Sequence, residues 1–195
     1  MSEPAPWRIG ESVPWSVAWT AEKAFRLQQS TDFPGQWEVA QLEKPGEGEP
    51  VFAGVHVTRH RRGMVGFLCH VCGKPTPVTD RYIFPVVSGG LVTMQDGSQL
   101  YGGNVPPVHR ACAEKAARLC PHLRRAFAEP VACPDEPSRL IARTDVPPGM
   151  EFLAKTYPAG LPVIYACYRL YGPKFTRKVR KLRDAHVAAG RPLLE

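Results

Sequence analysis

Hydrophobic and polar positions in the first third of the chain follow the two-residue period of β-strands. WEVAQLE (37–43) alternates in this way, and VFAGVHVT (51–58) is a second run of strand-forming residues. The segment between them, EKPGEGEP (43–50), has the proline, glycine and charge content of a loop. The pattern therefore predicts a hairpin in which 37–43 pairs with 51–58. Upstream of it, residues 1–36 allow either a strand or a helical turn.

Near the C-terminus the apolar positions follow a helical period instead. Within residues 173–189 one apolar stripe consists of Phe175, Val179, Leu182 and His186. Pro173 suits the first turn of a helix, and Gly190 suits its end. Basic side chains cover much of the remaining surface: Lys174, Arg177, Lys178, Arg180 and Lys181. The segment predicts an amphipathic helix with a basic exposed face.

The middle of the chain predicts a hairpin followed by a helix. Asp96-Gly97 readily takes the backbone conformation of a tight turn between strands. VHRACAEKAARLC (108–120) is rich in helix-forming residues, and Pro121 interrupts it. Together the elements predict an α+β fold of short antiparallel hairpins with a C-terminal basic helix. We divide it into an N-terminal segment that packs on the rest, a central module and a C-terminal segment: 1–58, 59–128 and 129–195.

Composition and charge indicate what kind of partner the protein binds. Of 195 residues, 44% are hydrophobic and 22% are charged, which is typical of a globular protein. The net charge is +7, and residues 1–50 hold eight acidic against four basic residues, so the positive excess lies in the rest of the chain. It is concentrated in the C-terminal helix and in Arg59, Arg61 and Arg62. Such a field favours nucleic acid as partner, with anionic lipid, an acidic protein or a merely solvated surface as alternatives.

The compartment bears on how the cysteines are interpreted. No apolar run in the sequence reaches the ~20 residues that cross a bilayer. The N-terminal MSEPAPWRIGES has no apolar core of a secretory signal, so we expect a cytoplasmic protein. In a reducing compartment, closely spaced cysteines are more often metal ligands or redox catalysts than disulfides.

The strongest chemical signal is a pair of Cys/His motifs. Cys69-His-Val-Cys72-Gly is followed, further along the chain, by His109-Arg-Ala-Cys112. In a CxxC turn that ends in glycine the two thiolates can share one edge of a metal, and residues i and i+3 of a helix project from one face. The four side chains predict a tetrahedral Cys₃His site for one Zn²⁺. The order of turn, hairpin and helix resembles treble-clef zinc fingers, whose last two ligands lie in the first turn of a helix.

Four protein ligands indicate a structural metal rather than a catalytic one, because no position is open for water or substrate. Two prolines after Gly73 disfavour the helix that thioredoxin-like chemistry requires. Residues 73–108 contain no histidine, which weighs against HNH-type nucleases, and the motifs of zinc deaminases and P-loop proteins do not occur. An enzyme would need an unrecognised cleft, for example near Asp80, or near Asp135 and Glu136.

A second metal site is the alternative that the remaining cysteines leave open. Cys120 lies about two helical turns after Cys112, so it is a possible alternative ligand, or a member of a second site with His122 and Cys133. The favoured interpretation is that Cys120 packs against the hairpin and His122 caps the broken helix end.

Two segments together resemble a family of short proteins encoded by actinobacteria and their phages: RHRRGMVGFLCHVCG (59–73) and PPVHRACAEKAARLCPHLRR (106–125). Members similarly carry an Arg-rich stretch before a CxxCG turn and a later helix that ends in CPHL. The resemblance implies a bacterial cytoplasmic setting and a bound metal, and it implies no particular activity. Members often have a cysteine in place of His109, a substitution that preserves zinc binding.

The sequence thus predicts a zinc-stabilised binding protein. Nucleic acid is the first expected partner, through the two basic concentrations: Arg59, Arg61, Arg62, Lys174, Arg177, Lys178, Arg180 and Lys181. A protein–protein adaptor is the second expectation, and an enzyme with an unrecognised cleft is the third.

Overall fold

A computed structural model describes residues 7–133, 138–145, 162–191 and 193 of the chain. The described helices are α1 (Val57–Gly66), α2 (Arg110–Leu119), α3 (Pro121–Arg125) and α4 (Pro173–Ala188). The strands are β1 (Val17–Trp19), β2 (Phe25–Gln29), β3 (Trp37–Gln41), β4 (Pro50–Val55), β5 (Tyr82–Ile83), β6 (Gly90–Thr93), β7 (Gln99–Gly103), β8 (Val131–Ala132), β9 (Arg139–Arg143), β10 (Val163–Ile164) and β11 (Ala166–Leu170). The fold is mixed α+β, as predicted. Of the helices in these ranges, none is both long and apolar enough to span a membrane.

Within the described ranges the strands form four small sheets. The largest has the order β6-β7-β11-β9 and is antiparallel throughout. A three-stranded sheet has the order β10-β3-β2, in which β10 runs parallel and β2 antiparallel to β3. The other two are the antiparallel pairs β1-β4 and β5-β8. Strands near the C-terminus pair with strands from both earlier segments, so the three segments interlock.

The predicted hairpin between 37–43 and 51–58 is wrong. Strand β3 pairs with β2 on one side and with β10 on the other, while β4 pairs with β1. The inner residues of β3 are buried, as suits a central strand that needs two neighbours, whereas most of β4 is exposed. The loop composition of 43–50 marks a chain reversal, but it does not determine which strands pair. Strand β4 also ends at Val55, because the side chain of His56 caps the start of α1.

Other local predictions are confirmed. The β6–β7 hairpin turns at Gly97, which has a φ of 78°. Helix α2 ends at Leu119, Cys120 follows as its C-cap, and the short α3 begins at Pro121. Helix α4 covers the predicted segment. Its apolar stripe packs on β7, where Phe175 joins Tyr101 and Tyr171 in an aromatic cluster with ring centroids 5.2–6.0 Å apart. These packed rings anchor α4 to the four-stranded sheet.

Helix α1 carries basic side chains into the interior. It packs against β3 and β11, and the side chains of Arg59 and Arg61 are only 1% and 3% exposed. Arg59 donates to both carboxylate oxygens of Glu22, at 2.6 and 2.7 Å, and Arg61 lies 2.7 Å from Glu38. A buried cation of this kind is tolerated only with a paired charge, so these arginines hold the N-terminal strands onto α1.

His56 belongs to the same buried network. Its Nδ1 accepts the backbone N–H of Arg59, so its Nε2 carries the proton and donates to the carbonyl of Leu42 at 3.0 Å. Burial, together with the neighbouring charge of Arg59, lowers the pKa of His56 below its ordinary value of 6.5, against the opposing effects of the Leu42 carbonyl and of Glu22 and Glu43. The folded protein therefore favours neutral His56.

The lowered pKa of His56 makes the stability of the fold depend on pH. The pKa of His56 is lower in the folded than in the unfolded chain, so the unfolded chain takes up the proton first as pH falls below about 6.5. We expect the free energy of unfolding to decrease from pH 7 towards acid. A His56→Asn variant, which keeps a capping acceptor but does not titrate, should show a shallower decrease. Urea titrations of both proteins across this pH range check the expectation, and identical slopes would contradict it.

Candidate metal centre

The structure brings the four predicted ligand residues together. One donor atom from each of Cys69, Cys72, His109 and Cys112 lies within 4.8 Å of every other, and the group is part-buried, with Cys69 fully so. Two elements supply these side chains, namely the turn 69–73 and the start of α2. Such a donor set could hold a metal ion.

The turn 69–73 is folded by its own backbone and by Trp15. The N–H of Gly73 donates to the carbonyl of Cys69, and the N–H of Cys69 donates to the carbonyl of Lys74. Gly73 has a φ of 74°, and a Cβ atom at this position would lie 2.7 Å from the indole of Trp15. Both the backbone conformation and the close indole require glycine here. The glycine that ends the CxxCG motif therefore positions both cysteines.

The second ligand pair lies where α2 begins. His109 is the residue that precedes the helix, and Cys112 lies in its first turn. The N–H of Arg110 donates to the side chain of Asp80 at 2.7 Å, and Val108 forms a two-way backbone bridge with Tyr82. These contacts fix the helix start relative to residues 80–82, and the N–H of His70, which donates to the carbonyl of Pro107 at 2.8 Å, connects it to the turn. Asp80 therefore caps α2.

The orientation of His109 matches that of a metal ligand. Its Nε2 bonds the carbonyl of Pro75 at 3.0 Å, which assigns the proton to Nε2 and leaves the lone pair of Nδ1 free. This Nδ1 lies 3.5 Å from the sulfur of Cys72 and 3.9 Å from that of Cys112. A tetrahedron with Zn–S of about 2.3 Å and Zn–N of about 2.0–2.1 Å has sulfur–nitrogen edges of about 3.6 Å. The observed distances bracket that value.

The three thiols of this cluster resist ionisation unless a cation lies among them. Burial raises the pKa of Cys69, although N–H groups of Cys72, His109 and Val71 donate to its sulfur and oppose the rise. Burial, followed by the proximity of Cys69 and Cys72, raises the pKa of Cys112 to about 12. Three thiolates this close repel one another, and a divalent ion would offset that repulsion.

The residues considered for a second site are not grouped around a metal. In the described ranges no other set of three Cys, His, Asp or Glu donors converges. Cys120 and His122 line a mostly apolar cavity of about 260 Å³ beside the turn 69–73. Cys133 lies in a different core, where its thiol is 3.7 Å from the hydroxyl of Tyr171. Asp135 and Glu136 lie outside the described residues.

The basic residues predicted to contact nucleic acid divide into two groups. Arg59 and Arg61 are buried in ion pairs with Glu22 and Glu38, and the half-exposed Arg62 is paired with Glu43. Phosphate cannot reach the first two guanidinium groups in this fold, which corrects their assignment to a binding surface. The α4 group is exposed, as predicted: Lys174, Arg177, Lys178, Arg180 and Lys181. Arg180 also donates to the side chain of Gln99 at 2.9 Å.

Several residues of the centre were not predicted from the sequence. Pro75 supplies the carbonyl that orients His109, Trp15 packs on Gly73, and Asp80 caps α2. Each of these residues is at least thirty positions away in the sequence from the residue it contacts, and no local pattern identifies it. The only local signal is the glycine after Cys72, which indicates a positive backbone φ at that position without identifying what packs against it.

Comparison with known proteins finds no similar protein. No family model matches the chain, and neither the curated proteins nor the solved structures contain a match.

Proposed function

We propose that Cys69, Cys72, His109 and Cys112 bind one structural Zn²⁺ in a treble-clef-like module. The convergence of the four donors carries this proposal, together with the carbonyl of Pro75 that presents the Nδ1 of His109. The module runs from the turn 69–73 through the β6–β7 hairpin to α2, the order of elements in that class of zinc finger. Three thiolates and an imidazole match the preference of Zn²⁺ and complete its coordination, so the metal stabilises the fold.

We further propose that the protein binds nucleic acid through the exposed face of α4. The supporting observation is the exposure of five basic side chains on a helix whose other face is anchored to the sheet. No ion pair joins any of them to a carboxylate among the described residues, and Asp184 is the only acidic residue of the helix. Unpaired cations on a rigid element suit phosphate contacts, which release counterions.

Neutralising part of this face should weaken binding in a salt-dependent way. For the double variant Lys178→Gln/Lys181→Gln we expect lower affinity, and a salt slope of log K smaller by about 1.4–1.8, since each phosphate contact contributes about 0.7–0.9. The matched control is Lys23→Gln/Arg26→Gln, which removes the same charge from exposed positions at β2. Fluorescence anisotropy of a labelled oligonucleotide at several salt concentrations measures both slopes. Equal salt slopes for the two variants would show that the exposed face of α4 does not contact the nucleic acid.

A protein–protein adaptor is the second candidate, and one surface feature favours it. The rings of Trp7 and Phe52 pack edge to face with centroids 5.5 Å apart, and each ring is more than half exposed. Val51 and Val55 on the same strand, β4, are exposed as well. An apolar surface of this kind suits a protein partner, whose binding would be insensitive to salt.

A further inference from the structure

Phe127 occupies a position in the fold where glycine is the usual residue. Helix α3 ends with the N–H of Phe127 donating to the carbonyl of Arg124 and the N–H of Ala128 donating to the carbonyl of Leu123. This pair of bonds defines a Schellman helix end, whose C′ residue adopts a left-handed conformation. Phe127 is that residue, with a φ of 49°. A bulky side chain is strained in this conformation, so the backbone itself does not favour phenylalanine.

The ring of Phe127 is not used to fill the core. Phe127 is 61% exposed, and the guanidinium of Arg191 lies 5.0 Å from its ring centroid. Arg191 follows the end of α4, so this contact places the C-terminal end of α4 beside α3. An aromatic ring held at the surface in a strained conformation, next to the helix proposed to bind phosphate, is suited to contacting a ligand.

The charges around Phe127 are those that a polyanion would meet. Arg124 and Arg125 lie in the last turn of α3 before Phe127, and the guanidinium of Arg191 lies against its ring. All three arginines are exposed, and among the described residues none of them pairs with a carboxylate. Glu129 is the nearest acidic residue along the chain, and Glu114 is already paired with Arg110. An exposed aromatic ring beside guanidinium groups that have no carboxylate partner among the described residues is an arrangement that suits single-stranded nucleic acid, in which bases stack on rings and phosphates contact cations.

We propose that Phe127 is a base-stacking platform that selects single-stranded over duplex nucleic acid. This inference rests on the proposed nucleic-acid function and assigns the substrate class. The bases of a duplex are already stacked on one another and offer no free face to Phe127, whereas the bases of a single strand do. The ring should therefore contribute to binding of single-stranded DNA or RNA and leave duplex binding, which depends on the cations of α4, unchanged.

The test compares variants of Phe127 with a variant of Leu119. Leu119 is a matched control because it is exposed to nearly the same extent, at 59%, and lies on the preceding helix without an aromatic ring. For Phe127→Gly we expect an affinity loss of about tenfold for single-stranded DNA and RNA, no change for duplex, and an unchanged salt slope. Phe127→Trp should retain single-strand affinity, and Leu119→Ser should have little effect.

A second readout separates stacking from a structural role. Because glycine suits the left-handed position, Phe127→Gly should unfold at the same or a higher temperature than the wild type. Fluorescence of a 2-aminopurine base in the single strand should change on binding to the wild type and not on binding to Phe127→Gly. Together these results would show lost binding without lost folding.

Each other outcome overturns a defined part of the argument. Wild-type binding with no loss in Phe127→Gly, or with an equal loss in Leu119→Ser, would refute the stacking platform and leave the α4 interface intact. No binding to any oligonucleotide would refute the proposed function itself. Binding to phosphatidylglycerol vesicles that depends on Phe127, with no binding to single strands, would reassign the surface to a membrane.

Discussion

The Cys72→Ser variant is expected to lose the proposed zinc ion and much of its folded structure. Structural zinc sites contribute roughly 10–16 kcal/mol of apparent binding free energy, comparable to or larger than the ~5–15 kcal/mol that stabilises a typical domain. Removing one ligand leaves two thiols and an imidazole crowded in a part-buried cluster, so at least residues 67–120 should unfold. Elemental analysis should find one equivalent of zinc in the wild type and none in the variant, with a large fall in melting temperature.

Cys120→Ser is the control for this variant. Like Cys72, Cys120 is part-buried, but it lies outside the cluster of four donors. We expect this variant to keep one equivalent of zinc and most of the wild-type stability. If Cys72→Ser retained its zinc, the assignment of the ligands would be wrong. If the wild type bound two equivalents and Cys120→Ser lost one, a second site involving Cys120 would be established.

The Glu22→Gln variant has the second largest expected effect, a loss of about 3–5 kcal/mol, because it leaves the charge of Arg59 buried without a counter-charge. Although burial alone raises the pKa of Glu22, hydrogen bonds from Arg59 and from the backbone of Lys44 and Trp19 lower it overall. The folded protein thus holds Glu22 ionised, and the glutamine cannot replace that charge. Chemical denaturation measures the loss.

Two further variants make this expectation specific to buried charge. Glu43→Gln removes a carboxylate whose partner, Arg62, is about half exposed, so it should cost no more than about 1 kcal/mol. Glu22→Gln combined with Arg59→Met should recover part of the loss, since no unpaired charge remains in the interior. Equal losses for Glu22→Gln and Glu43→Gln would contradict the burial argument.

Much of the candidate metal centre was predictable, because its essential features are local in sequence. A CxxCG turn places two sulfurs side by side whatever surrounds it, and residues three apart at a helix start face the same way. These two rules predict the pairing of Cys69 with Cys72 and of His109 with Cys112, whereas the meeting of the two pairs depends on tertiary contacts such as that between His70 and Pro107. Helix α4 was predictable for the same reason, since its apolar stripe and terminal Pro173 and Gly190 all act within the segment.

The pairing of the strands was not predictable in this way. The alternation in 37–43 marks a strand, but it carries no information about which neighbour supplies the hydrogen bonds. In the fold, β3 pairs with β2 from upstream and with β10 from much further along the chain, because the backbone of a buried strand needs hydrogen-bond partners along both edges. The composition of the loop 43–50 carries no information about which strands pair with β3.

The arginines separate what residue type specifies from what the fold specifies. From the sequence, Arg59 and Arg61 have the same cationic character as Lys178 and Lys181, and only the type of charge is determined. The fold buries the first pair against Glu22 and Glu38 and leaves the second pair in solvent. A ligand turn or an amphipathic stripe is determined by residues close together in the sequence. The burial of a charge instead depends on segments that are distant in the sequence, because a buried cation is stable only beside a counter-charge that the fold brings to it.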